Sequence, residues 1–328
     1  MITDEYGIHT FSLKLQCKYS EIQNIIEQNE CVCTGKGKFG LSPYYQIVRY
    51  KSIGVEIHLS QSISRPCWIT LIVNPSSLLA DTYEPTALFR ADEESVQQVK
   101  HRLRNILDEI GVDRRLKEFK LSRCDLTCNL YYEHTADVQD RIDIFKKSFP
   151  IPHYSAVKFG KYTNFDEKFK GANKHSWTIE NKSKSCTFSA YDKTYELEKR
   201  HHIVINEHIL RLELRFGRSK IIKITKVKDW ESQLIEFGSQ VEKQQQKFLH
   251  RLHMMHFDPI PLPELLDCIN ASKYREKTKK KLRRIAKKAN GCVSLAAVQK
   301  DCRIRKSDFI KLLEKFEKME ICCISFKS

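Results

Sequence analysis

Residues 188–200 read Phe-Ser-Ala-Tyr-Asp-Lys-Thr-Tyr-Glu-Leu-Glu-Lys-Arg. The first four alternate as a strand does, and a side-chain period of two puts Ser189, Tyr191 and Lys193 on one face. From Glu196 onward the pattern changes: Glu198, Lys199 and Arg200 form a charged run that permits a helix. Tyr191 and Lys193 therefore sit where a strand ends and a helix begins, with Glu196 about one turn further on. A phenol, an ammonium and a carboxylate gathered there can serve as nucleophile, charge stabiliser and metal ligand. Tyr and Lys are also common at ordinary strand ends, so this stretch needs support from elsewhere in the chain.

Two further strands supply it. In Leu121-Ser-Arg-Cys-Asp-Leu-Thr-Cys-Asn-Leu130, Arg123, Asp125, Thr127 and Asn129 share one face, and Cys124, Leu126, Cys128 and Leu130 the other. In Ile209-Leu-Arg-Leu-Glu-Leu-Arg-Phe216, Leu210, Leu212, Leu214 and Phe216 face a core while Arg211, Glu213 and Arg215 point away. One apolar face and one face of mixed acids and bases belong to a sheet with one open or functional side. A carboxylate flanked by arginines in each strand suggests an acidic metal site in a basic surround.

These segments, SRCDLTCNL (122–130), AYDKTYEL (190–197) and LRLELRF (210–216), come in an order and spacing that resembles rolling-circle replication initiators. The similarity is to the gene II / gene X class of filamentous phages and to plasmid initiators with similar strands. Ile69-Thr-Leu-Ile-Val-Asn-Pro75, followed by Leu78 and Leu79, resembles a strand and Asn-Pro turn upstream in that group, so the likeness runs from Trp68 to Arg218. It implies that Tyr191 is the nicking tyrosine, attacking a DNA phosphodiester, with Lys193 beside the scissile phosphate. It implies Asp125, Glu213 and Glu196 as ligands of Mg²⁺ or Mn²⁺. In plasmid initiators the tyrosine lies upstream in a Tyr-Phe-Gly segment, where this chain has Ser176-Trp-Thr-Ile-Glu-Asn181. On that pattern the nucleophile is absent or is Tyr162. Cys124 replaces a usual aliphatic residue, a change that packing tolerates.

A chain of 328 residues can bury a sizeable core. The N-terminus MITDEYGIHT lacks the basic and apolar regions of a secretory signal, and no run approaches the roughly 18 apolar residues of a membrane span. Twelve cysteines without a CxxC pair predict free thiols in a reducing cytoplasm, not a disulfide framework or a zinc site. A net charge of +16 predicts a polyanionic partner bound in a salt-dependent way.

Along the chain, strands are expected at 8–16, 45–59, 68–73, 120–130, 154–160, 176–181, 186–192 and 208–216. Helices are expected at 21–29, 93–110 and 135–148, with a largely helical stretch over 221–255. Gly35, Gly37 and Gly40 spell GxGxxG, but Leu41-Ser-Pro-Tyr follows in place of a helix, so the stretch reads as a glycine-rich hairpin. The lysine-rich segment 161–174 reads as a loop over the site or as a solvated linker. His250, His253 and His256 would be neighbours on a helix, without a carboxylate at matching spacing. No His-hydrophobic-His pair of the other large nicking class is present, so carboxylates must hold any metal, which favours Mg²⁺ or Mn²⁺.

Pro259-Ile-Pro-Leu-Pro263 marks a boundary. Beyond it, residues 273–288 hold ten Lys or Arg against the single acid Glu276, and helices at 294–300 and 307–319 precede a strand at 321–326. That order fits a small winged-helix-like module.

The sequence thus predicts an α+β fold: two related units forming an open, mostly antiparallel sheet with packed helices, plus a small helical C-terminal domain. The expected domains are 1–115, 116–258 and 259–328. The expected function is nicking and rejoining of origin DNA through a phosphotyrosine intermediate. The DNA partner is an origin hairpin with a single-stranded segment, contacted by Arg123, Arg211, Arg215, Lys279, Lys280, Lys281, Arg283 and Arg284. A host helicase or polymerase is a further possible partner. The alternatives are a relaxase of a mobile element, a non-cutting DNA-binding regulator on a degenerate initiator fold, or an RNA-binding protein; the last lacks convincing aromatic stacking strands.

Overall fold

The computed structural model describes residues 2–36, 42–112, 116–157, 174–292 and 294–325. Tyr162, nearly all of the lysine-rich segment, and Gly37 and Gly40 lie outside them. Period-two patterning in the first half builds β1 (Ile2–Cys17), β2 (Cys31–Lys36), β3 (Pro43–Ile47), β4 (Val55–Ser60) and β5 (Cys67–Val73), with α1 (Tyr19–Gln28) between β1 and β2. The Asn-Pro turn then starts α2 (Pro75–Ala80): Asn74 Oδ1 accepts from the Ser77 amide at 3.2 Å, and Pro75 fills a position that needs no amide donor. Asp92 and Ser95 cap each other at the start of α3 (Glu93–Glu109), and Gly111, at φ 77°, turns the chain out of it.

The second half repeats the plan with β6 (Lys120–Tyr132), α4 (Thr135–Lys146), β7 (Tyr154–Ala156), β8 (Ser176–Asn181), β9 (Cys186–Asp192), α5 (Lys193–Glu196) and β10 (His208–Gly217). In each half the first strand lies beside the last and the order runs backward, β1-β5-β4-β3-β2 and β6-β10-β9-β8-β7. Antiparallel pairing of β1 with β6 joins the halves into one open ten-stranded sheet, antiparallel throughout among the described residues.

Helices cover one side of this sheet. After α6 (Arg218–Ile224), α7 (Trp230–Gly238) and α8 (Val241–Leu252) pack on β1 and β6, while α4 packs on β8, β9 and β10. The apolar faces of the strands, among them Phe11, Leu126, Phe188 and Leu214, are buried there. Burying such side chains, at about 1.5–3 kcal/mol each, is what holds the layers together. The opposite side carries the polar residues.

The expected strand over 45–59 forms two, because Lys51–Ile53 makes a 3₁₀ turn closed by Gly54 at φ 81°. The helical stretch 221–255 breaks into three. α8 stops at Leu252 because His253 takes a left-handed conformation, so His256 is not on a helix with His250 and His253; the latter two instead face Glu317, at 3.1 and 3.8 Å. All twelve cysteines are free thiols. No helix among the described residues is long and apolar enough to cross a membrane.

The C-terminal region is helical: α9 (Leu262–Ala271), α10 (Glu276–Ala289), α11 (Leu295–Asp301) and α12 (Lys306–Glu317). It docks on the end of α4, where Lys147 O accepts from the Leu295 amide at 2.8 Å and Phe149 lies 5.5 Å from Phe309. The expected terminal strand does not form over 321–325: Cys322, Cys323 and Ile324 are buried, but the segment pairs with no strand among the described residues.

One segment crosses from the first half over the second. Beyond the end of β5, the free edge of β1 is taken by Phe89, whose amide and carbonyl bond Ile8 at 3.0 and 2.9 Å. The crossing is close because Gly7 has no side chain; a Cβ there would stand 2.7 Å from Leu88 Cβ and 2.9 Å from Phe89 O. Gly7→Ala should therefore lift this strap and lower stability by about 1–3 kcal/mol, the usual cost of overpacking, read as an earlier midpoint in urea unfolding.

Candidate active site on the open face of the sheet

The polar face of β6, β9 and β10 carries a network of charges. Asp125 is fully buried. Arg123, two residues before it on the same face, donates from Nε to both of its oxygens at 2.9 and 3.0 Å, and from Nη2 as well. Arg215, its cross-strand partner on β10, donates from Nε and Nη2 at 3.0 and 3.2 Å. The same Arg215 Nη2 reaches Glu213 Oε1 at 2.9 Å. Burial, and then the charge of Asp125, push the Glu213 carboxyl above its ordinary range.

Tyr191 reaches this network from β9. Its hydroxyl lies 3.5 Å from Glu213 Oε2, a long contact that points the phenol proton at a carboxylate. Burial, followed by the Glu213 charge, raises the phenol above its ordinary value. The turn after Tyr191 is fixed locally. Asp192 caps α5 through the Tyr195 amide at 2.9 Å and bonds His175 at 3.2 Å, and the His175 ring stacks on Tyr195 with centroids 3.5 Å apart. That cap places Lys193 and Glu196 on one side of a helical turn, where Nζ and Oε2 meet at 2.6 Å. Lys193 is buried, and burial together with the Arg211 charge lowers its ammonium to about 8. Burial pushes Glu196 up, but the Lys193 charge and hydrogen bond outweigh it, and the carboxyl ends below its ordinary value.

Arg211 is held differently from Arg123 and Arg215. It is fully buried beneath the strap and donates to three neutral oxygens: Asn129 Oδ1 at 2.7 Å, Pro85 O at 3.1 Å and Thr86 O at 2.9 Å. A cation kept dry without a hydrogen-bonded carboxylate needs acceptors around it, and Asn129 with the two strap carbonyls provides one for each nitrogen.

His9 belongs to the site and was not among the residues predicted for it. A bulge in β1 sets both Ile8 and Thr10 against successive residues of β6, leaving His9 as the extra residue. Its Nδ1 lies 3.9 Å from Glu213 Oε2 and 3.1 Å from Thr10 Oγ1. Burial, then the charges of Arg211, Lys193, Arg123 and Arg215, hold the imidazole well below its usual value. The signal was present in sequence: Ile8 and Phe11, both apolar, are three apart, which breaks a period of two.

The structure brings Tyr191, Asp125, Glu213, Arg123 and Arg215 together, with Lys193 and Glu196 one turn along the chain. Lys279, Lys280, Lys281, Arg283 and Arg284 are elsewhere, on α10, whose Leu282, Ile285, Ala286 and Ala289 are buried. Lys280, Lys281 and Arg284 are exposed; Lys279 and Arg283 lean on Asn270 at 2.5 and 2.7 Å.

The expected donors do not fit a divalent ion in this arrangement. Both oxygens of Asp125 are taken by guanidinium groups, and Glu196 is closed on Lys193. Among the described residues no three His, Cys, Asp or Glu side chains are gathered to hold a metal. An ion on Asp125 and Glu213 would have to displace Arg215, which already supplies their positive charge.

No family model matches this chain, and no curated protein matches it. Among solved structures, a rolling circle replication initiator protein from Geobacillus stearothermophilus is similar with a TM-score of 0.35 and 8% identity, over 76% of this chain and 86% of that one. The likeness is distant.

If Arg215 occupies the place of a cation, removing its charge should open that place. Arg215→Gln is expected to bind Mn²⁺ at least about tenfold more tightly than the parent protein, because two buried carboxylates lose a shared counter-charge. Electron paramagnetic resonance titration of free Mn²⁺ reads this; equal affinities would mean that Asp125 and Glu213 do not form one site.

Proposed function

We propose that this chain nicks and rejoins single-stranded DNA at a rolling-circle replication origin, with Tyr191 as the nucleophile. The observation that carries the reading is the Tyr191 hydroxyl facing the Glu213 carboxylate at 3.5 Å inside a cluster of arginines. The order of the three strand motifs and the net charge of +16 support the choice of DNA as substrate.

The chemistry follows from the positions of the groups. Tyr191 Oη attacks phosphorus while its proton passes to Glu213 Oε2. The bond from phosphorus to the 3′ oxygen breaks, and the leaving oxygen takes a proton from the Lys193 ammonium. The products are a 5′-phosphotyrosyl link and a free 3′-OH, whose return attack rejoins the strand. A phenol with a raised proton affinity is a poor nucleophile unless its proton is removed within the step itself, so the contact with Glu213 matters more than bulk pH. Arg123 and Arg215, partly exposed beside the carboxylates, are placed to bear on the non-bridging phosphate oxygens. Arg211, under the strap, holds the floor of the site. No step is routed through a metal ion. The region 259–328 serves as a duplex-contacting module, with Lys280, Lys281 and Arg284 of α10 against the phosphate backbone.

One observation favours a second reading, a DNA-binding regulator that no longer cuts: Asp125 is saturated by Arg123 and Arg215, as in a purely structural ion-pair network. Covalent capture separates the two. Incubated with a single-stranded origin oligonucleotide whose scissile bond is intact and quenched in SDS, the protein should yield an adduct that mass spectrometry places on Tyr191. Tyr191→Phe should lose the adduct while keeping DNA affinity within about twofold. An adduct on Tyr162 would keep the enzyme and overturn the site, and no adduct at all would leave the regulator.

The pH profile follows from the same assignment. Glu213 must be ionised to take the phenol proton, so activity rises with pH through a value above the ordinary carboxylate range. Lys193 must be protonated to protonate the leaving oxygen, so activity falls as pH passes about 8. Lys193→Arg, which stays charged, should slow the reaction and erase the alkaline limb in single-turnover nicking; a limb unchanged near pH 8 would remove Lys193 from the mechanism.

A further inference from the structure

The polar face of the first half takes no part in the chemistry above, yet it continues the face that carries it. Strand register traces it residue by residue, since directly paired residues of an antiparallel sheet share a side. Ser12 of β1 pairs with Arg123 of β6 on one flank and with Ile72 of β5 on the other. Two residues further along β1, Lys14 pairs with Thr70, which pairs with His58 of β4. Two further still, Gln16 pairs with Trp68, Trp68 with Ser60, and Ser60 with Tyr44 of β3. The alternate residues Ile57, Leu59, Ile69 and Leu71 are fully buried on the helix side. Trp68, Thr70 and His58 stay half-exposed, and Tyr44 is 48% exposed.

The side chains of these rows match the two parts of a nucleotide. The Lys14 ammonium lies 4.3 Å from the centroid of the Trp68 ring, so a cation and an aromatic surface stand together. Lys120, exposed and paired with Lys14 across β1 and β6, adds a second cation on the side of Arg123. Glu56, which pairs with Ile72, is the one acid in these rows among the described residues, and His58 Nε2 lies 3.2 Å from its carboxylate. Phosphates are drawn to such lysines, and bases stack on aromatic rings whatever their sequence, at about 1–3 kcal/mol each. The face is therefore complementary to a single nucleic-acid strand, and it runs without interruption into the arginines of the site through the Ser12–Arg123 pair.

The nicking role of Tyr191, on which this inference rests, gives the face a direction. Tyr191 pairs with Arg211, level with Asn129 of β6, and Lys193, which protonates the leaving 3′ oxygen, lies just past the end of β9. Arg123 lies at the other end of the site. The strand that departs with the free 3′-OH therefore leaves on the Lys193 side, and the strand that keeps its 5′ phosphate on Tyr191 runs past Arg123. We propose that this covalently held strand crosses β1 and β5, with phosphates on Lys120 and Lys14 and bases stacked on Trp68 and then Tyr44. Gln16, opposite Trp68, is six residues beyond Thr10, opposite Asp125, which is roughly 20 Å along β1. That is a span of about six nucleotides at duplex rise and fewer in a stretched strand. Such a face keeps the attached strand in place while the 3′-OH end leaves and returns.

Isothermal calorimetry of the full chain with 5′-phosphorylated oligothymidylates tests this and needs neither cleavage nor an origin sequence. A decamer should bind about tenfold or more tighter than a trimer, because only the decamer reaches Trp68. Trp68→Leu should weaken the decamer by about fivefold or more while the trimer is unchanged, and Trp68→Phe, which keeps a ring, should restore most of the loss. Tyr44→Leu, at an exposed position that the fold tolerates, should act in the same direction, and Lys14→Gln should lower the slope of log affinity against log salt by about 0.7. A decamer phosphorylated at its 3′ end instead should show a smaller effect of Trp68→Leu. Equal affinities of trimer and decamer, a decamer indifferent to Trp68→Leu and Tyr44→Leu, a larger Trp68 effect on the 3′-phosphorylated decamer, or tighter Trp68-dependent binding of oligouridylate would overturn the proposal. The two readings fail separately. A Tyr191 adduct in a protein whose decamer binding ignores Trp68 sinks this path alone, and Trp68-dependent binding without any adduct sinks the nicking and leaves the single-strand surface.

Discussion

The site depends on one guanidinium. Arg215 of β10 lies opposite Asp125 of β6 in the strand register and two residues from Glu213 on its own strand, so a single side chain reaches both carboxylates. Two buried acids on neighbouring strands repel, and Arg215 between them, with Arg123 on the far side of Asp125, supplies the opposing positive charge. Glu213 is left with one oxygen on Arg215 and the other towards Tyr191 and His9. The division of labour follows: Asp125 is a counter-charge that positions arginines, and Glu213 is the group with an acceptor to spare.

The second constraint is the crossing of the strap. Arg211 has no hydrogen-bonded carboxylate, and its charge is what lowers the proton affinity of Lys193 and His9 after burial. It can be kept dry only because Pro85 and Thr86 bring two carbonyls over it, and they can come close only because Gly7 leaves room beneath Leu88 and Phe89. A glycine in β1 of the first half thereby sets the electrostatics of a site in the second. Tyr83 extends the same strap to His201, at 3.4 Å, beyond the helical turn that carries Lys193.

Much of this was legible in the chain because β structure writes its faces at a period of two. Arg123, Asp125 and Asn129 share a face, as Arg211, Glu213 and Arg215 do, and the change of period after Tyr191 marks where β9 ends and α5 begins. What alternation could not settle was pairing. The pattern Arg-x-Asp places the nearest base two residues away, and antiparallel register adds a second base directly opposite; such an acid closes on arginine instead of staying open for an ion. The burial of Arg211 rests on strap carbonyls 125 and 126 residues away in the chain, which no local pattern records. His9 was hidden by a bulge, and the terminal segment is buried without a partner strand, which its local pattern does not record.

The sheet also separates charges. Its open face gathers Arg123, Arg211, Arg215 and Lys193, while the pocket behind β6 has Asp4, Asp258 and Glu320 in its lining. β6 is common to both, with Asp125 and Thr127 facing one way and Cys128 and Leu130 the other. Between the two faces lies an apolar layer in which Leu126 and Leu214 are fully or almost fully buried. The same layer fixes their relative position: α8 is pinned to the β6 and β10 carbonyls by Gln245, so whatever changes the seating of α8 acts on the two strands that carry Asp125 and Glu213.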